Sequence, residues 1–211
     1  MKTLLYKYLK LAAQPQTFMF CLFGAMFMIP NYPYTIVFFY ITLGLFFTFI
    51  NAREMRDVYL TMLLPVRKKD YVTTCLLFIL LIEGVSFLIG IPFVLLSQRV
   101  NLSGNAVGFD ASLALYGAGF LMYAVFNGIF LCSFFKTGYK VGSSFVKAVI
   151  PMSVLEIVLE ILPHIPALSF LDGWTAVGPQ LVFFLASLAI FVVVNLLALK
   201  KSQDLFEAVD L

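Results

Sequence analysis

Three carboxylates lie inside long apolar stretches of this 211-residue sequence, namely Glu83, Glu156 and Glu160. In hydrocarbon, a carboxylate needs a cationic partner, a water-filled cavity or a bound proton. Glu156 and Glu160 are four residues apart in sequence and share one face of a helix. The three are therefore candidates for a translocation pathway, although a wet rim at the end of a span would explain Glu156 and Glu160 equally well.

Other residue types that support catalysis are scarce. The sequence contains no Walker A motif and no HExxH motif, and its one histidine, His164, stands beside two prolines. Cys21, Cys75 and Cys132 are isolated and have no metal-binding spacing, so we interpret them as packing residues. These absences disfavour an integral membrane enzyme, and we expect the chain to bind no cofactor or metal of its own.

The most polar segment, residues 52–71, combines charges with an apolar run. Arg53, Arg56 and Asp57 precede the apolar residues 58–64, and Pro65 interrupts any helix there. We predict a short helix, a break at Pro65 and a second helix start, with Asp70 as a candidate cap. An exposed apolar run beside charges is a candidate docking surface for a protein, and a helix lying flat on the bilayer is the alternative.

The elements that would position these residues are membrane spans. The chain is 62% hydrophobic and only 12% charged, with a mean hydropathy of +1.01, which is typical of a protein dissolved in lipid. Six apolar stretches approach the roughly 20 residues that cross the hydrocarbon core. They cover about 15–30, 34–51, 72–97, 113–135, 144–163 and 178–199. We therefore predict an all-α, polytopic membrane protein of six transmembrane helices.

The distribution of positive charge predicts the orientation. If the N-terminus lies inside, 13 of the 14 Lys and Arg residues fall in inside segments, and only Arg99 falls outside. This bias predicts a multi-pass protein of the bacterial cytoplasmic membrane with both termini in the cytoplasm. Residues 2–13 place apolar and lysine side chains on different sides of a helix, which indicates an interfacial helix or a simple positive-inside anchor.

The segment 52–71 also carries a family resemblance. Its Asp57, Tyr59, Leu64-Pro65-Val66, Arg67 and Tyr71 resemble a loop that typically reads acidic-x-x-Tyr-x-x-x-Leu-Pro-Val-x-Arg. That loop belongs to the small permease subunits of type-2 ATP-binding-cassette (ABC) exporters, especially Firmicute permeases such as those of the phenol-soluble modulin exporter. The sequence departs from this pattern because Arg67 directly follows Val66 and the residues before Leu64 are more apolar.

The resemblance implies a coupling helix between spans 2 and 3 that docks in a groove of a separate cytoplasmic ABC ATPase, where ATP binds. The implied coupling residues are Arg53, Arg56, Asp57, Tyr59, Leu64, Pro65 and Arg67. The resemblance further implies that the permease forms a homodimer, or a heterodimer with a similar permease. It also implies export of a hydrophobic or amphipathic cargo, such as a peptide, an antibiotic or a lipid. No nucleic-acid partner is expected. An ion-coupled carrier built on the three carboxylates and a non-transporting anchor or sensor stay open as alternatives.

Overall fold

The computed structural model describes residues 2–11, 13, 15–100, 104–173 and 176–209. Within these residues every regular element is a helix, so the prediction of an all-α membrane protein is confirmed. The α-helices are α1 (Lys2–Leu11), α2 (Pro15–Cys21), α3 (Ile36–Glu54), α4 (Asp57–Met62), α5 (Lys68–Val100), α6 (Leu113–Phe135), α7 (Val141–Ile161) and α8 (Val177–Glu207). Three 3₁₀ segments, Leu22–Met28, Leu162–His164 and Pro166–Leu171, complete the described elements.

Four of the helices, α3, α5, α6 and α8, are long and apolar enough to cross a membrane. Helix α1 and the segment Pro15–Met28 form a pair bent by 92°, which would add a fifth span. The first predicted stretch is not one regular α-helix, because seven residues of α-helix are followed by seven residues of 3₁₀ helix. Helix α7 covers the fifth stretch but carries three charged residues in 21 and is not among the four. The predicted count of six spans is therefore not confirmed.

Helix α6 lies at the centre of the bundle and packs mainly against α7 and α8. Its Phe126, Phe130 and Phe134 rings stack along the helix at centroid distances of 5.2 and 6.0 Å. The Phe49 ring of α3 meets two of them edge-on, which is a favoured geometry for aromatic pairs. These aromatic rings form a rigid core that holds α3 against α6.

The bundle has two distinct ends. One end, which we call the basic end, contains α1, α4, the start of α5 and the end of α8. There Lys69 Nζ lies 3.3 Å from Glu207 Oε1, and Gln203 Nε2 donates to Thr73 Oγ1 at 3.0 Å. The opposite end contains the turn after Met28 and the segments 104–112 and 162–173, which hydrogen bonds such as Ala106 N to Asn31 Oδ1, 3.3 Å, hold together.

Candidate functional site

Asp57 ties three helices together at the basic end. It is the first residue of α4 and is only 7% exposed. Lys7 Nζ of α1 lies 2.7 Å from Asp57 Oδ1, and the Tyr71 hydroxyl of α5 donates to Asp57 Oδ2 at 3.0 Å. Hydrogen bonds in which one partner is charged are shorter and stronger than neutral ones. One side chain therefore fixes α4 against both α1 and α5.

Further contacts reinforce this position of α4. Lys7 Nζ also donates to Thr61 Oγ1, and Thr61 Oγ1 donates to the Asp57 carbonyl oxygen at 2.6 Å. Beside Lys7, the Tyr8 ring is buried and packs against Phe78 with a centroid distance of 5.0 Å. Helix α1 is thus fastened to the bundle by an aromatic side chain and an ammonium group at adjacent positions.

The reversal that separates α3 from α4 depends on Arg56. Its φ angle of 52° is left-handed, which ends α3 and lets α4 start in a new direction. The Arg56 side chain is exposed, and in the part of the chain that the structure describes it contacts no carboxylate. The Arg56 guanidinium, which lies directly before α4, is therefore open to a partner.

The opposite side of α4 and the turns on either side of it present apolar side chains to the surroundings. We call this surface the docking face, and it consists of Met55, Tyr59, Leu60, Leu63 and Leu64. Their exposed fractions run from 49% for Met55 to 66% for Leu63. Because Asp57 holds α4 from behind, the docking face keeps a fixed orientation.

A small cleft of about 170 Å³ adjoins the docking face. It is lined by Arg53, Arg56, Asp57, Val58, Tyr59, Gly138 and Tyr139. The last two residues come from the segment between α6 and α7, so two separate connections of the bundle meet here. The cleft thus combines arginines with aromatic rings, which is a composition enriched in protein–protein contacts.

The remaining predicted coupling residues lie just beyond α4. Leu64 and Pro65 are exposed in the tight turn that follows the helix. Arg67 is not among the residues that line the cleft, and it contacts Asp70 through two hydrogen bonds of 2.9 and 3.1 Å. These bonds raise the pKa of the Arg67 guanidinium. The structure therefore brings Arg53, Arg56 and Tyr59 together around the cleft, whereas Arg67 pairs with Asp70.

Glu156 and Glu160 lie near the opposite end of the bundle. They line a cavity of about 570 Å³ together with Pro33, Ile36, Val107, Ile157, Ile161 and His164. Glu160 Oε1 accepts hydrogen bonds from the Thr35 hydroxyl and from Thr35 N, the latter at 3.3 Å. The cavity therefore has mostly apolar walls and two carboxylates from one helix.

Glu83 is separate from that pair. It is 1% exposed within the single chain, and Asn127 Nδ2 of α6 donates to Glu83 Oε2 at 3.1 Å. Sequence reasoning missed Asn127, and it also missed Lys7 as the partner of Asp57. For Asn127, its position as a lone asparagine in an apolar stretch was the available signal, because lipid disfavours an unpaired amide.

Comparison with known proteins gives the family. No curated protein and no solved structure matches the chain. The family model described as ABC-2 family transporter protein matches residues 3–207, which is nearly the whole length. The chain therefore belongs to the ABC-2 family of transporter proteins and is a membrane permease component of an ABC transporter.

Proposed function

We propose that this chain is the membrane-spanning subunit of an ATP-driven exporter, and that a separate ABC ATPase binds its docking face. The observation that carries the proposal is the set of exposed apolar side chains on α4 and its flanking turns, which Asp57 fixes from behind. Water disfavours such a surface, and the adjoining arginines disfavour burial in lipid. A groove in a protein partner satisfies both groups.

ATP is bound and hydrolysed by the partner in this proposal, and the chain contributes force transmission. When two ATPase subunits close, they displace α4. The Asp57 contacts pass this displacement to α1 through Lys7 and to α5 through Tyr71. Helix α5 contains 33 residues and at 1.5 Å per residue spans about 50 Å, so a tilt at the basic end reaches the opposite end of the bundle.

The proposed orientation places the basic end in the cytoplasm of a bacterium. Lysines and arginines concentrate there, on α1, at the end of α3 and in the turn after it, and at the start of α5, whereas Arg99 lies in the last turn of α5 at its other end. This asymmetry supports a cytoplasmic docking face and cytoplasmic termini. The ATPase is then on the side of the membrane where ATP is available.

The proposed pathway passes the cavity beside Glu156 and Glu160. The same helix, α7, presents an apolar stripe at helical spacing, with exposed fractions of 55% to 63%. This stripe consists of Val146, Ile150, Val154, Ile157 and Ile161. A second copy of the chain, or a similar permease, packed near this stripe would enclose the cavity. Its mostly apolar walls favour a hydrophobic or amphipathic cargo, such as a peptide, an antibiotic or a lipid.

Capture of a candidate ABC ATPase by the purified permease tests this proposal. The test variant is the double substitution Tyr59→Ser with Leu63→Ser, which removes two side chains of the docking face. The matched control is Tyr6→Ser with Leu11→Ser, because these residues are 63% and 52% exposed on α1 at the same end. We expect the test variant to lose about tenfold or more in ATPase binding and the control to bind like wild type.

Two outcomes would contradict the proposal. Undiminished ATPase capture by the test variant would place the contact elsewhere on the chain. Reduced binding to lipid vesicles by the test variant, with unchanged ATPase capture, would show that α4 lies on the bilayer. Far-ultraviolet circular dichroism of both variants checks that they remain folded.

A further inference from the structure

A line of three polar side chains crosses the interior of the bundle from α5 to α8. Glu83, Asn127 and Asn195 are 1%, 0% and 5% exposed, respectively. Asn127 Nδ2 donates to Glu83 Oε2 and to Asn195 Oδ1, each at 3.1 Å. Asn195 Nδ2 in turn donates to the Phe191 carbonyl oxygen at 2.8 Å. This chain of hydrogen bonds connects α5, α6 and α8.

The orientation of each amide follows from its neighbours. Because Asn195 uses its NH₂ group on a carbonyl oxygen, its Oδ1 atom faces Asn127 and requires a donor there. Only the NH₂ group of Asn127 can supply that donor. The Asn127 NH₂ group therefore points toward both Asn195 and Glu83, and both of its hydrogens are used.

Two buried oxygens are left without a partner in this arrangement. They are Glu83 Oε1 and Asn127 Oδ1, and they belong to two side chains that already contact each other. Two acceptors cannot satisfy one another, and an unsatisfied buried acceptor costs about 1–3 kcal/mol.

No cation compensates Glu83 among the residues that the structure describes. The titratable side chain that interacts with it is Tyr123 of α6, whose hydroxyl lies 3.2 Å from Ser86 Oγ. On α2, Cys21 Sγ lies 4.0 Å from the carbonyl oxygen of Ile82, the residue before Glu83. Both are neutral groups near neutral pH. Helix α8 contributes only the amide of Asn195. An ionised Glu83 would therefore be a buried charge without a counter-charge, which is strongly unfavourable.

We propose that Glu83 and Asn127 form a proton-binding site, in which a neutral Glu83 and the Asn127 amide make a cyclic pair of hydrogen bonds. The proton resides on Oε1, and the resulting O–H donates to Asn127 Oδ1, while Asn127 Nδ2 donates to Oε2. One proton thus satisfies both unpartnered oxygens and removes the buried charge. The site holds α5, α6 and α8 together as one unit, and its ligand is the proton itself.

Replacement of Glu83 by Gln tests this site, because glutamine has nearly the shape of the neutral acid. The Gln NH₂ group would donate to Asn127 Oδ1, and its carbonyl oxygen would accept from Asn127 Nδ2. We expect the unfolding midpoint of E83Q in detergent to lie within about 2 °C of wild type, and that of Glu83→Ala to fall by about 5 °C or more. A midpoint of E83Q as low as that of Glu83→Ala, or an E83Q protein that does not fold, would overturn the proposal.

Infrared difference spectroscopy tests the proton directly. The spectrum of wild type minus a folded Glu83 variant, E83Q or Glu83→Ala, isolates the signal of the Glu83 carboxyl group at neutral pH. We expect the carbonyl stretch of a protonated carboxylic acid. The antisymmetric stretch of an ionised carboxylate in its place would overturn the proposal.

Discussion

Two buried carboxylates, Asp57 at the basic end and Glu83 inside the bundle, are the same chemical group in opposite settings. Asp57 lies beside an ammonium group and a tyrosine hydroxyl, and both are donors. Glu83 receives one amide hydrogen and contacts no cation among the described residues. Burial alone therefore does not determine what a carboxylate does, because the donors and cations beside it differ between the two sites.

The two settings also differ in access to water. The Lys7 side chain is 24% exposed, so the Asp57 pair lies at the edge of the protein. Glu83 and Asn127 are enclosed on all sides within the chain. An edge position suits a joint that transmits movement from a partner, whereas an enclosed position suits a fixed connection between spans.

Removal of Asp57 should give the largest effect. Asp57→Ala leaves Lys7 and Tyr71 without their shared acceptor, and we expect a loss of about 3 kcal/mol in the free energy of unfolding. Hydrogen exchange should increase in α1 and α4 because both lose their attachment. Thermal unfolding in detergent and hydrogen-exchange mass spectrometry measure the two effects.

Asp70→Ala is the matched control, because its partner Arg67 is 83% exposed. An exposed pair of this kind contributes little to stability, because solvent screens it. Equal losses for Asp57→Ala and Asp70→Ala would show that Asp57 is not a joint between the helices.

Conversion of each acid to its amide sharpens the comparison further. Asp57→Asn removes the counter-charge of Lys7, and we expect it to cost about 2 kcal/mol. Glu83→Gln keeps both hydrogen bonds of the neutral acid, and we expect a change below about 0.5 kcal/mol. Unfolding curves of the two variants, measured side by side, give the two losses in the free energy of unfolding. A larger loss for Glu83→Gln than for Asp57→Asn would contradict the proposed difference between the two carboxylates.

The Tyr71 hydroxyl provides a smaller change at the same joint. Tyr71→Phe removes the hydrogen bond to Asp57 but keeps a ring that packs against Phe206, so we expect a loss of about 1.5 kcal/mol. Tyr116→Phe is a control, because its hydroxyl makes only a 3.4 Å contact with the Phe87 carbonyl oxygen. If the two variants unfold alike, the Tyr71 hydroxyl does not support Asp57.

A third carboxylate, Asp172 at the opposite end, should show the smallest effect. Burial first, and the neighbouring Asp110 second, raise its pKa. A raised pKa in the folded state means that ionisation of Asp172 disfavours folding. The contribution of Asp172 to the free energy of unfolding should therefore increase as pH falls from 7 toward the unfolded pKa of about 4. Asp172→Asn should flatten this dependence and stabilise the protein at pH 7 by less than about 0.5 kcal/mol, because solvent screens a partly exposed pair.

Unfolding curves between pH 4 and pH 7 test the sign of that effect. Asp110→Asn is the comparison variant, because it removes the second cause and leaves the burial of Asp172. A stability difference between wild type and Asp172→Asn that grows as pH falls through this range would contradict the prediction.

Local features of the structure followed from the sequence, whereas contacts between distant segments did not. The α4 helix, its end before Pro65 and the start of α5 beyond that proline were predictable from charge spacing and proline chemistry. The pairing of Lys7 with Asp57 joins residues fifty positions apart. Lipid is as apolar as a protein core, so the apolar pattern of a span does not reveal which face packs inward.

The same ambiguity explains the missed interior network. Asn127 and Asn195 could be seen as isolated polar residues, but only the packing of α6 against α8 brings them within 3.1 Å. The sequence predicts a carboxylate in an apolar span at Glu83 but does not show that this side chain is enclosed within one chain. Helix packing supplied the missing information.

Cross-linking from the docking face tests the central claim most directly. Leu63→Cys, directly after α4, and Leu11→Cys, in α1 of the same end, place thiols at positions that are 66% and 52% exposed, respectively. With a bifunctional thiol reagent and a candidate ABC ATPase, we predict a covalent permease–ATPase product from Leu63→Cys and little or none from Leu11→Cys. No product from Leu63→Cys in a complex that hydrolyses ATP, or equal yields from both positions, would contradict docking through α4.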